Sequence, residues 1–393
     1  MKLTQARAVA LVLATLAISA TEAACGGNSN SMQGAEASSG GSPVAVQIAA
    51  QSKDAALAVA SIQANAASSQ PRIRQTISFG DSLSDVGTYR VGLIAEVGGG
   101  KFTTNPGPVF VEAIGLLLGT PVTPFRQGFG GTSQVLGGTG FAMGGARVSQ
   151  QPGIGCDPDP GSGMCTQALT IPVVDQITDY LTANGDAFHA DQLVFVWAGA
   201  NDVLFQLGVF SAKVGAGEGP TQAAGEAVVA VEQAALELAS QVKRIIGKGA
   251  TRVIVLNLPD IASTPFGKAP AQTAVLPLIT DLVLAFNGTL AASLTGTPAV
   301  LLDFFTAQDR QLANPKAYGY TNINAPACDP VKIAAITEGL DQDGSSLFCS
   351  LLTLAKPFAS VQYAFADLLH PTTLGHLNLA GWVAVELWQL GLL

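Results

Sequence analysis

The sequence predicts an α/β domain, a parallel sheet with helices on both faces. Gln192-Leu193-Val194-Phe195-Val196-Trp197 and Arg252-Val253-Ile254-Val255-Leu256-Asn257 are short, nearly continuous apolar runs, the pattern of strands covered on both sides. Between them, residues 226–247 place Val228, Val231, Ala235, Leu238, Val242 and Ile245 at helical spacing and stop at Gly247-Lys248-Gly249, where glycine favours a helix end. Strand, helix and strand in that order is the unit from which parallel sheets are built.

The remaining elements extend the pattern. Gln75-Thr76-Ile77-Ser78 reads as a first short buried strand. Residues 277–294 form a second helix with Pro277 at its start, a position that tolerates a missing N–H. Ala299-Val300-Leu301-Leu302-Asp303 reads as a further strand. Residues 373–390 close the domain as a very apolar helix, in which His376, Asn378, Glu386 and Gln389 argue against a membrane span. Sites in such sheets lie at the carboxyl ends of strands.

Residues 74–393 are the expected folded domain, and what precedes them has a different character. Lys2 and Arg7 flank an apolar core at residues 8–20, with small residues at Ala20, Ala23 and Ala24. This is the layout of an export signal over residues 1–24, too short to span a bilayer. Residues 25–73 form a Gly/Ser/Ala-rich linker or tether. With 48% hydrophobic and 12% charged residues, the chain has ample material for a buried core. Its net charge is −9, and its 19 Lys and Arg form no basic run, so nucleic-acid binding has no electrostatic support.

An exported chain meets an oxidising compartment, where cysteines pair. Of the five cysteines, Cys156 and Cys165 flank one Pro/Gly loop, and Cys328 and Cys349 flank another insertion. Local pairing is expected, although four cysteines allow three connectivities. Cys25 is left over. Ala23-Ala24-Cys25-Gly26-Gly27 is similar to the bacterial lipoprotein cleavage site, where the cysteine is acylated, but Glu22 departs from that pattern. Lipidation of Cys25, with a membrane tether, stands beside simple cleavage near Ala24. The location expected is periplasmic, outer-membrane-anchored or extracellular, and a monomer is expected.

The chemistry centres on Phe79-Gly80-Asp81-Ser82-Leu83-Ser84-Asp85-Val86-Gly87. Glycine at 80 lets the chain turn off the strand, lifting Ser82 out of the sheet beside backbone N–H groups, as an attacking alkoxide and an oxyanion require. Ser82 read alone could equally cap a helix. A base is then needed, and the chain has three histidines. His370 lies in Asp367-Leu368-Leu369-His370-Pro371-Thr372, where an Asp three residues earlier can meet imidazole Nδ1 and leave Nε2 to face a serine. A surface pair capping the last helix is the alternative. His376 reads as structural, and His189 lies on the amino side of its strand. Gly199-Ala200-Asn201-Asp202 ends the strand of Trp197, where Asn201 could point its NH₂ at an oxyanion or simply make a turn. Gly140-Phe141-Ala142-Met143-Gly144-Gly145-Ala146-Arg147 offers a backbone N–H from a glycine.

Taken in order, F-G-D-S-L-S-D-V-G, G-F-A-M-G-G-A, G-A-N-D and D-L-L-H-P-T resemble the four blocks of the GDSL (SGNH) esterase/lipase family. The resemblance covers residues 74–393. It implies a three-layer α/β/α sandwich, flavodoxin-like in outline, and carboxylic-ester hydrolysis by a Ser82–His370–Asp367 triad without metal or cofactor. It also implies an oxyanion hole of the Ser82 and Gly145 N–H groups and the Asn201 side chain. A one-residue slip would choose Gly144, and Gly140 stands where the family often has Asn. No G-x-S-x-G surrounds Ser82, which argues against the α/β-hydrolase version of this chemistry. The substrate implied is a small-molecule or lipid ester. Polysaccharide O-acetyl esterase, phospholipase and a non-catalytic scaffold of the same fold are alternatives.

Overall fold

A computed structural model describes residues 71–162 and 165–393. The leader, Cys25 and nearly all of the linker lie outside the described residues. Contacts group residues 71–376 into one unit, and residues 377–393 fall outside it.

In the first unit, β1 (Gln75–Gly80), β4 (Gln192–Trp197), β5 (Val253–Leu256) and β6 (Val300–Leu302) form a parallel sheet in that order. Gly80 is level with Trp197, Val194 with Val253 and Ile254 with Val300. Every β4 residue is buried, because its alternating side chains meet helices on two sides. Val194 and Val196 join a core with Ile177 and Tyr180 of α3 (Val173–Ala183), Val231 and Leu238 of α5 (Pro220–Gly247), and Phe286 and Leu290 of α6 (Leu276–Leu294). On the opposite face, Phe195 and Trp197 meet Phe110 of α2 (Phe110–Leu118) edge-on, with ring centroids 5.6 and 5.4 Å apart. Trp197 also meets Phe304 of α7 (Phe304–Ala313) at 5.2 Å. This is the α/β/α layering expected from the apolar runs.

Two elements follow signals that the sequence reading did not use. Arg126–Phe129 (β2) and Thr132–Val135 (β3) form an antiparallel hairpin. Its turn residues, Gly130 and Gly131, both have positive φ, +71° and +78°, as a two-residue hairpin turn demands. Residues 139–143 run beside β1 as an irregular extra strand, with Phe141 N–H donating to Ser78 O and Met143 N–H to Gly80 O. That ladder carries Gly144 and Gly145 to the carboxyl end of β1. The last helix, α9 (Thr373–Gln389), begins in the first unit. Beyond it, Leu377, Leu379, Val383 and Leu387 are buried.

Gly80 shows why the turn after β1 needs glycine. Its φ is +150°, and a Cβ there would lie 2.0 Å from Trp197 O. Gln176 of α3 fixes the same residue, accepting from Gly80 N–H at 2.9 Å and donating to Gly80 O at 2.8 Å. Gly80→Ala should therefore lower the unfolding free energy by at least about 2 kcal/mol. Denaturant titration checks this, and an unchanged midpoint would contradict it.

Candidate active site

Ser82 opens a 3₁₀ turn, Ser82–Ser84, at the carboxyl end of β1. The capping task falls to Asp81, whose Oδ1 accepts from Leu83 N–H at 3.1 Å, so the Ser82 hydroxyl is free for other chemistry. Ser82 Oγ lies 2.8 Å from His370 Nε2. His370 Nδ1 lies 3.0 and 2.8 Å from the two carboxylate oxygens of Asp367. A carboxylate can only accept, so Nδ1 carries the proton and Nε2 is left to accept from Ser82. The three residues expected to act together are thus brought together, across 288 positions of sequence.

Asp367 and His370 are placed by their own turn. Asp367 Oδ1 accepts from Leu369 N–H at 2.8 Å and His370 N–H at 2.7 Å. Its Oδ2 takes Ser346 N–H at 2.9 Å, from the Cys328–Cys349 segment. Burial alone would raise Asp367, but the charge and hydrogen bonds of His370, with the Ser346 bond, hold it well below the usual carboxylate range. For His370, burial disfavours the imidazolium. The Asp367 carboxylate and its hydrogen bond, aided by the charge of Asp81, more than offset that, and His370 titrates above its ordinary value. Phe102 covers the imidazole, with ring centroids 5.0 Å apart.

The Gly144–Val148 segment is gripped at both ends. Asp85, fully buried, accepts Gly87 and Thr88 N–H on Oδ1 at 2.9 and 2.7 Å, and Gly144 N–H on Oδ2 at 2.8 Å. At the other end, Asn201 Nδ2 donates to Ala146 O at 2.9 Å. Asp202 takes Val148 N–H at 3.0 Å and Arg147 Nε at 3.1 Å. Asn201 and Asp202 lie in the first turn of α4 (Ala200–Gly215), directly after β4. Gly144 thus spends its N–H on Asp85, while the N–H groups of Gly145 and Ser82 have no hydrogen-bond partner among the described residues. Gly145 has φ +76°, and a Cβ there would lie 1.9 Å from Ile154 O. Asn201 Nδ2 keeps a second hydrogen to offer.

Ser82, Gly145, Asn201 and His370 open onto one cavity of about 640 Å³. Cys156 is joined to Cys165 and Cys328 to Cys349, the local pairing. From the Cys328–Cys349 segment, Leu340, Asp341, Gln342, Asp343, Ser345, Leu347 and Phe348 line the wall. For the other loop the described wall residues are its flanks, Ile154, Gly155, Gln167 and Ala168. Of the other histidines, His376 is buried and its Nδ1 accepts from Phe110 N–H at 3.3 Å. Burial pushes His376 down to about 3, which keeps it neutral. His189 precedes β4, at the opposite end of the strand from Ser82. Among the described residues, no three His, Cys, Asp or Glu side chains converge as a metal site would.

Ser82, His370 and Asp367 thus form a hydrogen-bonded series at the carboxyl end of a parallel sheet, with the N–H groups of Ser82 and Gly145 beside it. The sequence model of the family GDSL-like Lipase/Acylhydrolase matches residues 77–383. The chain belongs to that family, whose class of reaction is ester hydrolysis. It is similar to an uncharacterized protein of the trpE-trpG intergenic region of Pseudomonas putida, 28% identical over 366 residues, 86% of this chain and 53% of that protein. It is also similar to the anther-specific proline-rich protein APG of Brassica napus, 29% identical over 141 residues, 34% of this chain and 29% of that protein. The chain thus spans about half the length of the first relative and less of the second.

Two tests follow from this geometry. In Asp85→Asn one oxygen becomes an NH₂ that cannot accept, so either Gly144 or the Gly87–Thr88 turn loses its partner. Turnover, kcat, should drop roughly 10- to 100-fold with KM little changed, and unchanged kcat would show that the full set of Asp85 contacts is dispensable for turnover. The second concerns pH. A base must be unprotonated, and His370 sits above its ordinary 6.5, so kcat/KM should rise along an acid limb centred above that value. Asp81→Asn removes a nearby negative charge and should move the limb to lower pH. An unmoved limb would remove Asp81 from the electrostatics of His370.

Proposed function

We propose that this chain is an exported serine esterase/lipase that hydrolyses carboxylic esters through an acyl-enzyme. The observation that carries the reading is the continuous hydrogen-bonded chain from Ser82 Oγ through His370 to Asp367. In the proposed cycle, Ser82 Oγ attacks the ester carbonyl carbon as His370 Nε2 takes its proton. The tetrahedral oxyanion receives the N–H groups of Ser82 and Gly145 and one Asn201 Nδ2 hydrogen. Asp367 fixes the imidazole tautomer and stabilises the imidazolium. As the intermediate collapses, His370 gives its proton to the departing alcohol. Water then attacks the acyl-enzyme with His370 as base, releasing the acid and restoring Ser82.

Export is supported by the leader-like residues 1–24 and by two disulfides, which persist in an extracellular or periplasmic setting. Cys25 in its lipoprotein-like context would tether the enzyme at a membrane through residues 26–73.

Hydrolysis of p-nitrophenyl esters by wild type and Ser82→Ala tests the reading. Wild type should turn over, and Ser82→Ala should lose at least about 10³-fold in kcat while keeping its fold by circular dichroism. Asn201→Ala should lose about 10²–10³-fold, mostly in kcat. Activity surviving in Ser82→Ala would mean that the nucleophile lies elsewhere.

A further inference from the structure

The cavity at Ser82 is large enough to enclose a whole small ester, and its charge is one-sided. Among the described residues no lysine or arginine lines it, and apart from His370 its ionisable acids are Asp341 and Asp343. Both belong to the segment closed by Cys328–Cys349. Asp341 Oδ1 accepts N–H from Asp343 at 3.0 Å and Gly344 at 2.8 Å, and Ser345 N–H reaches both its oxygens at 3.3 Å. That tight turn sets Asp343 out in solvent at the cavity wall.

Much of the rest of the lining is apolar. Phe129, Ile154, Leu204, Leu312, Leu340 and Phe348 supply apolar surface. Of the four lining glutamines among the described residues, Gln308 and Gln311 each spend one side-chain atom on the protein. Gln308 Nε2 donates to Asp260 O and Ser263 Oγ at 3.2 Å each, and Gln311 Oε1 accepts from Tyr320 OH at 3.2 Å. An anionic group entering this cavity would face two carboxylates and no lysine or arginine.

We propose, building on the serine-esterase reading, that this cavity selects esters of apolar acyl chains with neutral or cationic alcohols. Asp341 and Asp343 set the charge preference and disfavour anionic esters. Specificity of this kind is a difference between substrates, and here the repulsive element is built into the wall.

The test uses octanoate esters that differ only in the charge of the alcohol: octanoylcholine, 1-octanoylglycerol and 3-sulfopropyl octanoate, with 1-acetylglycerol as the short-chain comparison. Octanoylglycerol should exceed acetylglycerol in kcat/KM by at least about 100-fold, since each buried methylene contributes roughly fourfold. At low ionic strength the sulfopropyl ester should be poorer than octanoylglycerol by roughly three- to tenfold, and octanoylcholine equal or better. Half-molar salt should narrow the gap. Each variant is referred to its own rate on octanoylglycerol. On that scale Asp343→Asn should narrow the gap further and Asp343→Lys reverse it.

Equal rates on the three octanoates, a preference for acetyl, or a charge order that Asp343→Lys leaves untouched would each overturn the proposal while the esterase reading stands. No serine-dependent turnover of any ester would overturn both.

Discussion

The geometry at Ser82 depends on buried carboxylates that accept backbone N–H groups from distant segments. Asp85 binds the end of the β1 turn to Gly144, 59 residues away. Asp202 binds the start of α4 to Val148, and Asp367 binds its own turn to Ser346. Burying a carboxylate is costly, and so is burying an unpaired N–H. Each of these contacts relieves both costs at once, and each loop is thereby held at a strand end. The catalytic arrangement inherits its precision from the sheet through these three side chains.

The same aspartates show how surroundings divide chemically identical groups. Asp85 is pushed up to about 6 by burial even though three N–H groups oppose the shift. Asp81 is pushed up to about 7 by burial, with the Leu83 N–H opposing. Asp367, also buried, goes the other way because an imidazole that can carry charge lies against it. The imidazole beside Asp367 therefore separates its carboxylate from those of Asp85 and Asp81. Asp81 lies between these roles, since its charge favours the protonated form of His370.

The strands were legible because burial on both faces leaves continuous apolar runs, and β4 begins and ends where its run does. The Asp367–His370 pair was legible because it is local, three residues apart on one turn. Long-range partners were not. Nothing near Asp85 announces that its second oxygen reaches Gly144, so Gly144 and Gly145 could not be separated by sequence. The distinction came from which N–H the buried carboxylate consumes. Ser346 and Phe102 lie beside Asp367 and His370 for the same reason, brought there by the fold rather than by a motif. The hairpin of β2 and β3 is short and mostly exposed, so it lacks the apolar pattern that marks the sheet strands, and only Gly130-Gly131 signals it.

In the proposed function Ser82 is an activated nucleophile held by His370. The most direct measurement is intact-protein and peptide mass spectrometry after treatment with a fluorophosphonate, at pH 8 and again at pH 5. One adduct per chain is expected, on Ser82, forming much faster at pH 8, where the imidazole of His370 is more fully the free base. No adduct on folded protein, an adduct on another residue, or equal rates at both pH values would contradict it.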